Sequence, residues 1–600
     1  MPRAGSPPSV APVRRIPVRG REFLDAPTGP APALPCADAS TTHARIRDDG
    51  SCECRAPLLT LPRLLLPFSG PDPIRENEMS ARLTIRRRPD ARSARQAGGL
   101  RVAALGTAFV ALLVPALSAC GGSASSSAGS ATLKWASSYF PSHWDPVVSG
   151  SGAQFRELAL VYSSLTRTDE EGKAVPDLAE SWEYNAKGDG ITFHVRPGLK
   201  FSDGEPVDGA AVKSAIERAQ KQKNSALFGD LTSIGSVKAS GLDVTLDLTQ
   251  VDYQIPQLLG ERVLQIASPK AAANPAKLDQ NPVGAGPFVI DQLIPGTKAV
   301  LRKNPDYWDA KNIHIDDVEL VSAPDASTVV SGLQTGVYNF ADLDPSQASA
   351  AEKAGLDVFS QPGFNASNIS LNVNKAPFDD DRVVDALRYA VNRKEFVDKL
   401  TFGHGESTDQ PFPKGYVAYD AKSENAYPYD PAKSKKLLAE AGHRPGDLKL
   451  NLVIPAEDPQ AEIVQSQLAA VGIKVTIKID KNWATPFFAK DLAFSLYSTT
   501  GRDSAVQTLT AHFGPNGPLN LSTPYEPDGF KEAVAKVRQT PLDAPDYAQV
   551  LQAATRAGLE SKALIFTFSS PNLFAKSKTL SDLPKNPAHI DWTGVKIAGS

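Results

Sequence analysis

Nine short segments in which apolar and polar residues alternate are interleaved with seven segments of helical period between residues 131 and 569. Alternation such as "DVTLDLT" (243–249) or "IKVTIKI" (473–479) puts one face of a strand inward, whereas "DRVVDALRYAVNRKEFVDKLT" (381–401) repeats its apolar residues at helical spacing. Strands alternating with helices over this length predict an α/β protein. Helix ends are marked too. Acids at Asp379–Asp381 suit a helix N-terminus, Pro431 after Asp430 suits a first turn, and Gly442 and Gly472 suit C-terminal caps. No tandem repeat is visible. Of four cysteines, Cys36, Cys52 and Cys54 precede this region and Cys120 stands at its edge. No disulfide framework can form there, so the fold rests on its apolar core. About 470 residues suffice for two lobes.

The chain before Cys120 is of another composition. It holds seventeen arginines and no lysine; from Cys120 onward there are 34 lysines and 13 arginines. Residues 1–78 are rich in Pro and Arg without periodicity and read as either a mis-assigned start or a disordered extension. From Met79 three zones follow: a basic one, an apolar run Val102–Leu117, and small residues before Cys120. That order is expected of a secretory signal peptide over 79–119. The run is shorter than the roughly 20 residues of a membrane-spanning helix, the alternative reading. Leu117-Ser118-Ala119-Cys120 resembles the lipobox of bacterial lipoproteins, which implies diacylglyceryl transfer to Cys120 and a mature chain beginning there. Residues 120–130 form a Gly/Ser/Ala linker.

From Cys120 on, 57 acidic residues face 47 basic ones. Such a body has no electrostatic reason to bind nucleic acid or anionic lipid, so membrane attachment would fall to the lipid anchor. The eight histidines are widely spaced and no HExxH occurs, which argues against a metal site. Neither a nucleophile elbow nor a Cys–His pair is present. No catalytic group and no cofactor are expected, and the chain is not read as an enzyme.

The stretch 161–218 carries Tyr162, Leu165, Pro176-Asp177-Leu178-Ala179, Ser181-Trp182, Phe193, Arg196-Pro197-Gly198, Lys200-Phe201, Asp203-Gly204 and Pro206. Further along come "GAGPF" (284–288), "LRKNPDYW" (301–308), "LQTGVYNFA" (333–341), "LNVNKAPFDDDRVVDALRYAVNRKEFV" (371–397), "YDPAKSKKLLAEAG" (429–442) and "LAAVGIKVTI" (468–477). In this order they resemble the family 5 extracellular solute-binding proteins, the peptide/nickel/opine group serving ABC importers. The resemblance implies a two-lobed periplasmic-binding-protein fold with a ligand cleft between lobes. It places lobe I at 131–362 with an extra subdomain, lobe II at 363–565, and a return to lobe I at 566–600. It also implies a monomer on the outer face of the cell membrane, with ABC permease and ATPase subunits as partners. Most of the blocks read as structural: "GAGPF" as a turn, and Trp182, Phe193 and Phe201 as core.

By the same resemblance the ligand, a small polar or peptide-like solute, is lined by two segments. The first is "SSYFPSHWDP" (137–146), with Tyr139 and Trp144; the second is 481–509, with Trp483, Tyr497, Thr499, Thr500, Arg502 and Asp503. Peptide-binding members carry a Gly-Trp pair and then an aspartate that holds the peptide amine. This chain has Thr499-Thr500-Gly501-Arg502-Asp503-Ser504 instead. A cleft arginine favours a carboxylate or phosphate, although Arg502 reads equally as a solvated loop residue. A zwitterion or modified peptide remains open through Asp503. A signalling or envelope-interaction module on the same scaffold is the second functional reading; neighbouring permease and ATPase genes would decide for transport.

Overall fold

The computed structural model describes residues 130–148, 154–222, 231–260, 263–323, 325–499, 504–586 and 589–598. The expectations for Cys120, the signal segment and residues 1–78 lie outside them. One large mixed sheet organises the rest. Its strands run in the order Lys474–Ile479, Lys449–Ile454, Phe494–Thr499, Asp357–Leu371, Leu564–Lys576, Phe340–Asp342, Thr132–Ser137, Asp317–Ser322, Lys298–Lys303 and Phe288–Ile294. A separate four-stranded sheet holds Ala179–Tyr184, Gly190–Val195, Asp243–Leu248 and Ile234–Ser240.

The two middle strands are long, 15 and 13 residues, and antiparallel. Sequence alternation finds only the 367–373 and 563–569 parts of them: Leu573–Lys576 is buried on both faces, Gln361–Asn365 lies at a bulge, and Asp357–Ser360 is partly exposed on both. Their register shifts between Gln361 and Asn365. On one side of that bulge lies a core built from Leu133, Trp135, Phe193, Phe340, Phe574 and Trp592 among others. On the other side lie two cores, one around Ile369, Leu387 and Leu452 and one around Leu509, Phe530 and Phe566. Both long strands therefore pass from one set of cores to the other.

Helix starts follow the expected chemistry. Asp430 accepts a hydrogen bond from the Lys433 amide ahead of Pro431, and Asp380 accepts one from the Arg382 amide. The C-terminal glycines Gly442 and Gly472 have φ of +88° and +93°, where a side chain would be strained. One helical pattern proves to be two helices, Asp381–Ala390 and Arg393–Leu400. The break is held from outside: the Gln467 carboxamide accepts from the Asn392 amide at 3.0 Å and donates to its carbonyl at 3.1 Å. "GAGPF" is a close approach as well as a turn. Gly286 donates to the Val161 carbonyl at 2.8 Å, and a Cβ on Gly286 would meet the Val161 backbone at 2.5 Å. Phe193 and Phe201 are core as expected; Trp182 is half-buried against Phe193. Among the described residues no helix is long and apolar enough to cross a membrane.

Candidate functional site

Open α/β sheets bind ligands outside the carboxyl ends of their parallel strands. Two such ends occur here. Thr132–Ser137 runs parallel to Asp317–Ser322 and Phe340–Asp342, and the loop with Tyr139 and Trp144 leaves its carboxyl end. Lys449–Ile454 runs parallel to Lys474–Ile479 and Phe494–Thr499; Trp483 follows the first partner and residues 500–503 follow the second. The loop with Tyr139 and the segment with Trp483 each begin at such an end.

At the first end a compact charged cluster backs the loop. The Arg156 guanidinium donates to Asp342 at 3.2 Å and lies 5.2 Å from the centre of the Tyr139 ring. Asp342 also accepts from the Ser138 amide, and Ser137 donates to Glu157 at 2.8 Å. Tyr139 is 44% exposed, whereas Glu157 is fully buried. Burial raises the Glu157 carboxyl to about 8, against the opposing pull of Arg156. Trp144 is buried against Phe140, with its backbone amide and carbonyl held by Asp279 and the Tyr162 hydroxyl. It packs in the core, so of this loop's three aromatics, Tyr139, Phe140 and Trp144, Tyr139 is the one presented to solvent.

At the second end Trp483 and Tyr497 come together, ring centres 6.1 Å apart, with Phe487 stacked against both. The Trp483 indole donates to Ser495 at 2.7 Å and is 9% exposed. Thr499 ends its strand opposite Ala366. Thr500, Arg502 and Asp503 lie outside the described residues.

Directly after them a cavity of about 550 Å³ opens. One wall is the segment around Asp252, Gln254 and Leu258; the other is helix Ala505–Phe513 and helix Phe530–Arg538. Leu258 belongs to the first core and Phe530 to another, so the cavity lies between the two halves. Polar contacts close one side of it. Arg538 forms an ion pair with buried Asp252, which also accepts from Ser233 at 3.0 Å. The Tyr253 amide donates to the Arg538 carbonyl at 2.8 Å, and the Tyr547 hydroxyl donates to Gln254 at 2.7 Å. Lys490 braces the far rim through the Pro518 carbonyl at 2.6 Å, and burial lowers its ammonium to about 8.

Of the lining residues Ser504 and Gln507 are buried, and among the described residues neither the Ser504 hydroxyl nor either polar atom of the Gln507 carboxamide has a hydrogen-bond partner. Sequence reading included Ser504 in the 499–504 stretch and Gln507 in the 481–509 segment but named neither as a binding residue, and it passed over their helix. The signal was there in Ala505, Val506, Leu509 and Phe513, spaced as one apolar face behind Ser504. It also missed Arg156 and Glu157, a charged pair inside the apolar stretch "FRELALVY". Among the described residues no group of three His, Cys, Asp or Glu is placed to hold a metal ion.

The profile of the bacterial extracellular solute-binding proteins, family 5 Middle, matches residues 173–519, more than half of the chain. The chain belongs to this family. A dipeptide-binding protein of Pseudomonas aeruginosa is 30% identical over 374 residues, covering 56% of this chain and 70% of that one. The glutathione-binding protein GsiB of Escherichia coli is 32% identical over 332 residues, covering 53% and 63%. Among solved structures, AgaA from A. tumefaciens R10 in complex with agropinic acid is 25% identical and superposes with a TM-score of 0.67 over 78% of this chain and 98% of that one. This family 5 protein therefore has the two-lobed binding-protein fold and the role of a transporter's binding protein rather than an enzyme.

Proposed function

We propose that this family 5 protein is the lipid-anchored receptor of an ABC importer, capturing a peptide-like or other small polar solute between its lobes and delivering it to the permease. The observation that carries this reading is the polar cavity between two separately cored halves joined by two long strands. Lobe I comprises 131–362 and 566–600 and lobe II 363–565, and closure is a hinge motion at the strand bulge. The receptor acts as a monomer. Its named relatives bind dipeptides and glutathione, which supports an amide-containing ligand class.

Anchoring at Cys120 would keep such a receptor at the outer membrane face. Cys120→Ser should move the protein from the membrane to the soluble fraction on cell fractionation, and native material should yield no tryptic peptides from 1–78. A membrane-bound variant would overturn the anchor.

For the ligand, Arg502 is the proposed partner of a carboxylate or similar anionic group, with Asp503 available to an amine. Tyr139, Trp483, Tyr497, Thr499 and Thr500 are proposed as further ligand contacts; Tyr139, Trp483 and Tyr497 lie outside the lining of the 550 Å³ cavity. Mass spectrometry of co-purifying small molecules would identify the class. With glutathione as probe, calorimetry of Arg502→Ala should show binding weakened by about 1.5–3 kcal/mol, the range for a charged hydrogen bond. Unchanged affinity would remove Arg502 from the site.

A further inference from the structure

One guanidinium and two carboxylates are buried together behind the Tyr139 loop. Arg156 is 7% exposed, Asp342 6% and Glu157 not at all. The charges that act on Glu157 are Arg156, on the preceding residue, and Asp342, on the strand Phe340–Asp342. A buried group of net charge −1 is costly, so the cluster holds a proton. Asp342 takes the ion pair with Arg156 and the Ser138 amide. Glu157 accepts a neutral donor, the Ser137 hydroxyl, on Oε1. The proton therefore belongs on Glu157, and burial pushes its carboxyl in the same direction. The Tyr139 phenol stays neutral beside it: burial and then Asp342 raise it against Arg156, with Glu157 and Asp344 adding to the rise.

The same groups hold the loop. The Ser138 amide donates to Asp342 at 3.0 Å, the Tyr139 amide donates to the Ser137 hydroxyl oxygen at 3.0 Å, and that hydroxyl donates to Glu157. The Arg156 guanidinium lies between the Tyr139 and Phe574 rings, 5.2 and 5.4 Å from their centres. We propose that the proton on Glu157 is a switch for this loop: while it is bound, Arg156 serves Asp342 and Tyr139, and when it leaves, the guanidinium turns to Glu157 and the loop loses that support. Two carboxylates competing for one cation give two discrete arrangements, the kind of element that switches rather than drifts. The loop is gripped on the acid side of the transition and loosened on the alkaline side. Control over binding follows from the reading that Tyr139 contacts the solute; the loop change itself does not depend on it.

Hydrogen exchange of the ligand-free full chain, corrected for the intrinsic effect of pH, tests the switch. Between pH 6 and pH 9 the Ser138 and Tyr139 amides of wild type should lose about tenfold in protection, one charged hydrogen bond's worth. The Trp135 amide, within the same strand, should lose far less. Glu157→Gln, which keeps the acceptor for Ser137 and carries no proton to lose, should show no such change. Asp342→Asn should move the midpoint down by about one pH unit or more, because a neighbouring negative charge and a rival for Arg156 are gone. Level protection in wild type, an equal loss in Glu157→Gln, or an unmoved midpoint in Asp342→Asn would overturn the switch. Calorimetry with glutathione then tests its reach. The ratio of wild-type to Glu157→Gln affinity, in which the titration of the probe cancels, should fall severalfold over the same range. A constant ratio beside a working exchange switch would overturn the control over binding. Failure of both proteins to bind glutathione would count against the ligand reading and leave the exchange result to decide the switch.

Discussion

Glu157→Gln should abolish most of the fall in stability that the wild-type protein shows between about pH 5 and pH 8. The carboxyl is buried beside Arg156 and Asp342, and burial raises it from 4.5 to about 8. Between those values the folded protein keeps its proton while the unfolded chain has lost it. Stability then falls as pH rises, by about 1.4 kcal/mol per unit at the steepest. The contribution is fully present below pH 4.5 and gone above pH 8, a loss on the order of several kcal/mol. Glutamine keeps the acceptor for the Ser137 hydroxyl and carries no titratable proton. Urea unfolding at pH 5, 6.5 and 8 should show the wild-type midpoint dropping and the variant's nearly level. Parallel drops would assign the pH dependence elsewhere. Lys490 does not confuse the test: its lowered ammonium acts above pH 8 with the opposite sign, because there the unfolded chain binds the extra proton.

Asp252→Ala should cost about 3–5 kcal/mol, the range for breaking a buried ion pair from one side. Asp252 is 1% exposed and answers both Arg538 and Ser233. Its loss leaves the guanidinium without this buried partner. Because the pair joins the two halves across the cavity mouth, part of the cost should appear as opening. Small-angle scattering should give a larger radius of gyration for the ligand-free variant. A double-mutant cycle with Arg538→Met isolates the pair. Additive effects in that cycle would show that the two residues do not act together.

How much of this was legible beforehand varies with the physics. Caps, turn glycines and half-buried strands were legible because their causes are local: Asp430 and Gly442 act on backbone within a turn of themselves. The long strands were only half visible: Leu573–Lys576 is buried on both faces, which erases alternation, and Asp357–Ser360 is partly exposed on both. The split at Asn392 was hidden because Gln467, 75 residues away, causes it. For the site, resemblance directed attention to residues 481–509, and the sheet's parallel carboxyl ends explain that position. It did not reveal that Trp144 is packed away, that Trp483 is braced by Phe487, or that Ser504 and Gln507 are left unpaired. These follow from neighbours brought in by the fold, and a single sequence does not record neighbours.

The path of the long strands also sets an order of events in time. The short strand Phe340–Asp342 pairs with Phe574–Lys576, and Trp592 packs on Trp135 and Phe340 at ring separations of 5.7 and 5.4 Å. The half that leaves the ribosome first is thus sealed by residues made more than 230 positions later. Contacts so distant along the chain slow folding. The earliest-synthesised half must stay incomplete until almost all of the polypeptide exists, whereas the later half can close on its own. Translation therefore runs ahead of folding in the first half, and that lag is the interval in which a chain of this topology can be threaded through a narrow channel while still extended.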